Sequence, residues 1–275
     1  MKRVFLLGIS LSVLWACQKE PGYLGSEEIL SLASTHTQQQ YEIKVQLPAG
    51  YDPTQNYPVV YLLDGYYHYP DVQAIIGDNA SLQEVILVGI FYEEYPFALS
   101  NLGAIEELRE LDFTHPVHIT QSGTELGGGG LAFYQFLEKE LLPTIEDQYG
   151  ADPNHRTIMG HSLGGYFVLF QLLEFRSNPL FQQVVALSPA LWWSDLEILE
   201  MEEQVAENQE SLPYILYLGI GTQEGVEANA LVDALDAQIS KHQHPALQYR
   251  MERYQGGHLH SAKTGFSAGL KFIFP

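Results

Sequence analysis

A serine set between glycines, where an apolar run passes into a helical pattern, constrains this chain more than any other stretch. Arg156-Thr157-Ile158-Met159 leads into Gly160-His161-Ser162-Leu163-Gly164, and Gly165-Tyr166-Phe167 opens a run with apolar residues at helical spacing. A strand, a tight turn and a helix in that order hold a serine at the top of a sheet with its hydroxyl presented outward. The glycines have a steric reason. The turn strains the backbone at Ser162, and a Cβ at Gly160 or Gly164 is expected to collide with the neighbouring strand or helix. In a chain with 24 glycines the Gly-x-Ser-x-Gly pattern also arises by chance, so its weight comes from the flanking strand and helix. The plain alternative is an ordinary strand-to-helix turn. A nucleophile at Ser162 requires a histidine, an acid and two oxyanion donors elsewhere in the chain.

The remaining pattern supplies the frame for them. Residues 41–47 alternate apolar and polar, as a strand with one solvated face does. Residues 57–63 and 85–91 are continuous apolar runs of the kind buried on both faces of a parallel sheet. Further strands are expected at 156–159, 184–187, 214–219 and 247–254, and helices at 131–149, 163–175, 195–208, 226–242 and from the loop at 255–258 to Phe274. Pro143 should kink or break the first of these helices. Residues 92–130 read as a long irregular segment closing on Gly127-Gly128-Gly129-Gly130, a hinge or a flexible turn. Strands alternating with helices predict an α/β domain with a mostly parallel central sheet covered by helices on both faces. At 275 residues and 46% apolar, one such domain with a sizeable core is expected.

Charge and the first residues narrow the setting. A formal charge of −21 argues against nucleic acid, which needs a basic face, and against adsorption of the protein surface to anionic lipid. Lys2-Arg3 precedes an uncharged run over residues 4–16, too short to span a bilayer but suited to a secretory signal. The run ends at Leu14-Trp15-Ala16-Cys17, and Cys17 is the sole cysteine. This resembles the cleavage box of bacterial lipoproteins, whose cysteine becomes the lipidated, palmitate-type acylated first residue; a plain signal peptide or a buried thiol are the alternatives. The expected organisation is a lipoprotein signal peptide at 1–16, a tether at 17–35 and the α/β domain at 36–275. The chain would then sit in the cell envelope, on the outer membrane facing the periplasm or the surface, touching membrane only through Cys17.

In open α/β sheets ligands sit at the carboxyl ends of the strands. After the last strand stands Gly256-Gly257-His258-Leu259-His260, so His258, with His260 as competitor, is the candidate base. The acid should follow the preceding strand, where Glu224 is nearest to the expected place, with Glu227 and then Asp233 behind it. The oxyanion donors are placed at the N–H of Leu163, directly after the nucleophile, and of Tyr66, after residues 59–63, with Gly65 as fallback. Trp192 and Trp193 follow a strand end and are candidates to line a substrate pocket, or else to pack a loop. Arg109 is a candidate for an anionic substrate, or else a surface ion pair. His115-x-x-His118, His242-x-His244 and His258-x-His260 each lack a third clustered ligand, so no metal site and no cofactor is expected.

These residues resemble the putative-esterase family of α/β-hydrolases, the group holding esterase D type enzymes and siderophore trilactone esterases. The likeness runs over residues 41–274. It is carried by Tyr57-Pro58-Val59-Val60-Tyr61-Leu62-Leu63-Asp64-Gly65, by Arg109-Glu110-Leu111-Asp112-Phe113-Thr114-His115-Pro116 and by Phe136-Leu137-Glu138-Lys139-Glu140-Leu141-Leu142-Pro143-Thr144-Ile145. Gly160-His161-Ser162-Leu163-Gly164-Gly165 and Ser188-Pro189-Ala190-Leu191-Trp192-Trp193 complete it. The resemblance implies the α/β-hydrolase fold and Ser162 as nucleophile. It also favours His258 over His260, by the distance to the closing helix. Relatives usually carry a small Gly-Ser pair after this histidine, where the chain has Leu259-His260. Family acids vary in position, and some siderophore esterases work with a Ser–His pair, so Glu224 competes with Glu227, Asp233 and no acid at all.

The reading is a cofactor-free serine hydrolase of carboxylic esters, acting through an acyl-enzyme on a small-molecule substrate such as a siderophore or an acylated carbohydrate. A feruloyl or acetyl-carbohydrate esterase is the close alternative, and a non-catalytic surface binding protein of the same fold is the alternative of another class.

Overall fold

The computed structural model describes residues 24–95, 98–119 and 123–275. Cys17 and the expected signal segment lie outside the described residues. Chain order begins with β1 (Leu24–Ala33), β2 (Gln40–Pro48), β3 (Tyr57–Leu62), α1 (Gly65–Gly77) and β4 (Ile86–Tyr92). There follow α2 (Leu102–Phe113), a small hairpin of β5 (His118–Ile119) and β6 (Glu125–Leu126), α3 (Gly130–Phe136) and α4 (Leu142–Tyr149). The second half runs β7 (Ala151–His161), α5 (Leu163–Glu174), β8 (Gln183–Leu187), α6 (Glu197–Glu207), β9 (Ile215–Gly221), α7 (Val226–His242), β10 (Gln248–Tyr254) and α8 (His258–Ile273).

Eight of these strands form one sheet in the order β1-β2-β4-β3-β7-β8-β9-β10. β2 is antiparallel to both β1 and β4, and every other pairing is parallel. The continuous apolar runs explain the centre: β4 is buried along its whole length, because helices cover both of its faces. One face packs Tyr69, Val72 and Ile76 of α1 and Phe266 and Leu270 of α8. The other packs Ile105 and Phe113 of α2, Phe133 of α3, Phe167 of α5, Ile198 of α6 and Val232 of α7. This is the mostly parallel, helix-covered sheet expected from the alternation of strands and helices, and the α/β-hydrolase architecture that the resemblance implies. No helix among the described residues is long and apolar enough to cross a membrane.

Three expectations need correction. Residues 24–33 are not tether: they form the edge strand β1, paired with β2 from Leu24 opposite Pro48 to Ala33 opposite Gln40. The irregular 92–130 stretch contains a full helix, α2, which buries Ile105, Arg109, Asp112 and Phe113. Its interior polar residues hid the helical stripe. The glycine run at 127–130 is not a hinge, since a Cβ on Gly127 would lie 1.9 Å from Thr114 Oγ1 and one on Gly130 2.9 Å from the Thr114 carbonyl. The glycines are a close-packed crossing. The expected disturbance at Pro143 is present as a π-helical turn, Leu137–Leu141, just before α4, which places the proline where a missing N–H costs little.

Candidate active site

β7 delivers Ser162 at its carboxyl end and α5 starts at the next residue. Ser162 has φ 58° and ψ −119°, a strained conformation for a residue with a Cβ. Its N–H donates to the Leu187 carbonyl at 3.0 Å, and its own carbonyl accepts from Tyr166 N at 2.9 Å and Ala190 N at 3.1 Å. The backbone is therefore tied to β8 and α5 on both sides, which sustains the strain. A Cβ on Gly160 would stand 2.2 Å from the Gly164 carbonyl, the collision expected from the sequence. At Gly164 the contact is milder, 3.0 Å to Asp64 Oδ2. Gly165, which the pattern did not single out, is tighter, with its Cβ 2.7 Å from the Leu187 carbonyl.

The loop after β10 brings His258 to Glu224, on the turn after β9. His258 Nδ1 meets Glu224 Oε2 at 2.7 Å. The carboxylate is buried (2% exposed) whereas the imidazole is about half open, 45%. Glu224 Oε1 accepts from Ser188 Oγ at 2.6 Å, from Gly221 N at 2.6 Å and from Ser261 Oγ at 3.2 Å. Gly221 makes room for this, because a Cβ there would lie 2.8 Å from both Glu224 Oε1 and Ser261 Oγ. Burial pushes the Glu224 carboxyl up, but the hydrogen bonds from His258, Ser188 and the Gly221 N–H outweigh it and hold the pKa below the ordinary value. An ionised, fully bonded carboxylate on Nδ1 fixes the tautomer with its proton there and leaves Nε2 as the unprotonated nitrogen of a residue that lines the cleft. Ser188 and Ser261 are contributors that sequence reasoning missed; Ser188 stood in the quoted Ser-Pro segment without a role.

His161, the variable residue of the serine motif, is 2% exposed. Its Nε2 lies 3.0 Å from the His258 carbonyl, and its ring packs on those of His258 and His68, with centroids 4.3 and 5.0 Å apart. Burial lowers the pKa of both inner histidines, His161 well below the ordinary value, so both are neutral at pH 7. A neutral His161 donates through Nε2–H and so pins the first turn of α8, which carries His258.

Leu163 opens α5 and Tyr66 is the second residue of α1, so their N–H groups belong to helix first turns that have no intrahelical acceptor. Asp64 precedes α1 in the left-handed conformation, φ 58°. Arg109 of α2 holds it there with a two-pronged pair, Nε to Oδ1 at 2.5 Å and Nη2 to Oδ2 at 2.8 Å. The third guanidinium nitrogen, Nη1, lies 2.6 Å from Glu106. Burial alone would lower the Arg109 pKa, but Asp64 outweighs it and raises it.

A cleft of about 390 Å³ opens here, lined among others by Tyr67, His68, Arg109, Ser162, His258 and Leu259. The expected surface ion pair at Arg109 is thus a buried one; all three of its nitrogens are engaged, so it braces the turn before α1 rather than waiting for an anionic substrate. Trp193 is buried, with Nε1 3.5 Å from the Pro116 carbonyl and its ring against His118. Trp192 is 57% exposed, and neither tryptophan lines the cleft at Ser162. Trp193 packs the loop, the plainer of the two readings, and Trp192 lies against it from the solvent side. His260 is exposed and Asp233 pairs with Arg253, so neither joins the Glu224–His258 pair. Glu227 lies in the first turn of α7. Away from the cleft, His242 and His244 meet Glu202, the third group the sequence did not show.

The family model described as Putative esterase matches residues 34–271. The chain belongs to this esterase family. Among curated relatives, the ferri-bacillibactin esterase BesA of Bacillus subtilis is 32% identical over 63% of the chain and 61% of its own length. The apo-salmochelin esterase of Escherichia coli is 27% identical over 58% of the chain and 50% of its own length. The matched stretch therefore spans only half to three-fifths of those relatives. Among solved structures, the BES protein from Bacillus cereus is 25% identical and superposes with a TM-score of 0.78, covering 100% of both chains. The IroE-like serine hydrolase of Shewanella oneidensis, 24% identical over 90% of this chain and 80% of its own, has a TM-score of 0.75 and shares the fold.

Proposed function

We propose that this esterase-family chain is a serine carboxylesterase in which Ser162, His258 and Glu224 act as a triad. The observation that carries the reading is the buried Glu224 carboxylate bonded to His258 Nδ1 at 2.7 Å, in a cleft that also exposes Ser162 on its strained turn. Ser162 Oγ attacks the ester carbonyl while its proton passes to His258 Nε2. Glu224 stabilises the imidazolium, and the N–H groups of Leu163 and Tyr66 receive the oxyanion. Collapse breaks the bond to the leaving alkoxide, which takes the proton from His258, and a water activated by the same imidazole releases the acid from Ser162. No cofactor enters these steps.

The names of the relatives support a siderophore ester as substrate: a ferri-bacillibactin esterase, an apo-salmochelin esterase and a siderophore triacetylfusarinine C esterase are among them. An open cleft of this size seats a scissile ester and one arm of a larger cyclic ester, leaving the rest in solvent. Hydrolysis rates on a trilactone siderophore, a feruloylated sugar and an acetylated sugar test this. A trilactone preference of at least about tenfold in kcat/KM is expected, lost in Ser162→Ala, and a preference for either sugar ester would overturn it. Residues 1–17 support an exported, Cys17-anchored protein, for which a mass spectrum of the mature N-terminus should show a diacylglyceryl cysteine.

A further inference from the structure

We propose that Glu202, His242 and His244 form a divalent-cation site of the zinc type that clamps α6 to the end of α7, independent of the ester chemistry. Glu202 Oε1 lies 2.8 Å from His242 Nδ1 and 2.6 Å from His244 Nε2, and the candidate ligand atoms all fall within 4.8 Å of one another. The three side chains are 1%, 10% and 2% exposed. Two imidazoles and a carboxylate are a donor set that zinc takes readily, in tetrahedral geometry with bonds of about 2.0–2.2 Å. Such bonds put neighbouring ligand atoms about 3.3 Å apart, so the triad opens by roughly half an ångström to admit the ion.

The surroundings are those of an oriented ligand set. Glu202 Oε2, the oxygen turned away from the histidines, accepts from Gln238 Nε2 at 3.1 Å. His242 Nε2 faces Glu203 Oε2 at 3.6 Å, which places a carboxylate behind the imidazole to hold the Nε2 proton once Nδ1 is given over to an ion. The same Gln238 amide also lies 3.2 Å from Glu203 Oε2 and 3.2 Å from the Leu199 carbonyl, so it spans α6 from α7. Gln243, between the two histidines, is left-handed at φ 49°, and this turn swings His244 back beside His242. On binding, each histidine gives up the proton that bonded to Glu202 Oε1, by shifting it to the other ring nitrogen or releasing it. Water completes the coordination.

The triad sits at the amino end of β10, whereas His258 follows its carboxyl end, a strand length of about 20 Å away. The ion therefore fastens a helix pair and the entry to β10 and touches no reacting atom.

The test is a Zn²⁺ titration of chelator-treated full-length protein, read by calorimetry and by the unfolding midpoint, with X-ray absorption of the loaded wild type. Binding of one ion with a Kd below about 10 μM is expected, with a midpoint rise of at least about 4 °C. The absorption spectrum should show two imidazole nitrogens among nitrogen and oxygen neighbours. Glu202→Gln and His242→Gln should abolish the one-to-one event, and Glu203→Gln should weaken it about tenfold, while turnover of a short-chain ester stays unchanged. Weak uptake at many sites, as expected from carboxylates on a chain of charge −21, would overturn the proposal. So would wild-type absorption without imidazole neighbours, or tight binding that survives in either ligand variant.

Discussion

At Glu224 three protein donors besides the imidazole meet one carboxylate, and this decides how the proposed triad behaves with pH and on mutation. Because those bonds hold its folded pKa below the unfolded value, its contribution to stability is present above the ordinary carboxylate range and fades as pH falls through the folded value. Glu224→Gln keeps the shape but offers Nδ1–H no charge; kcat/KM on a p-nitrophenyl ester should fall about 10³–10⁴-fold. Retention of more than a tenth of the activity would assign a Ser–His pair instead. His161 gives a subtler case. His161→Phe removes the donor to the His258 carbonyl and should lower kcat about tenfold with little change in KM, whereas His161→Gln, which keeps an N–H in reach, should recover part of it. An equal loss in both would mean that His161 only fills space.

At the scale of elements, the turn between β3 and α1 depends on α2, a helix that also lines the cleft through Leu102 and Glu106. Arg109 of α2 neutralises Asp64, and Arg109→Met leaves that carboxylate buried and unpaired. Denaturant unfolding should show a loss of about 3–5 kcal/mol, and Arg109→Lys, which cannot form the two-pronged pair, should recover only part. The elbow of β7 and α5 was legible from sequence because its glycines, strand and helix are consecutive; a histidine after the last strand was legible too, but position left His258 in competition with His260 until the family resemblance separated them. Glu224 was legible only as one acid among several, since in so acidic a chain position alone discriminates weakly. The Asp64–Arg109 pair was not legible: it joins residues 45 positions apart, and Arg109 lay in a stretch whose buried arginine and aspartate disguised α2 as loop. β1 was missed for a related reason. An edge strand with mostly exposed side chains has no apolar stripe to announce it.

Across the whole molecule, the two faces of the sheet divide the labour. The α1 and α8 face carries the histidine stack, and the opposite face carries the larger core together with an ionisable group that the chemistry does not use. Asp112 is 1% exposed and accepts from Tyr41 Oη at 2.6 Å. Burial, only partly offset by that hydrogen bond, raises its pKa to about 7. The folded state thus keeps a proton that the unfolded chain releases near pH 4, and the Asp112 contribution to stability declines from about pH 4 to pH 7, levelling above. Asp112→Asn removes this titration. Its stability relative to wild type should rise by about 1.4 kcal/mol per pH unit across that window, as read from urea unfolding at a series of pH values; a constant difference would contradict the assignment. The central claim concerns Ser162, and covalent labelling by a fluorophosphonate, mapped by peptide mass spectrometry, tests it most directly. One stoichiometric adduct on Ser162, slowed at least about 100-fold in His258→Ala and unaffected in His260→Ala, is the expected result. No adduct on the wild type, an adduct elsewhere, or labelling at the wild-type rate in His258→Ala would contradict it.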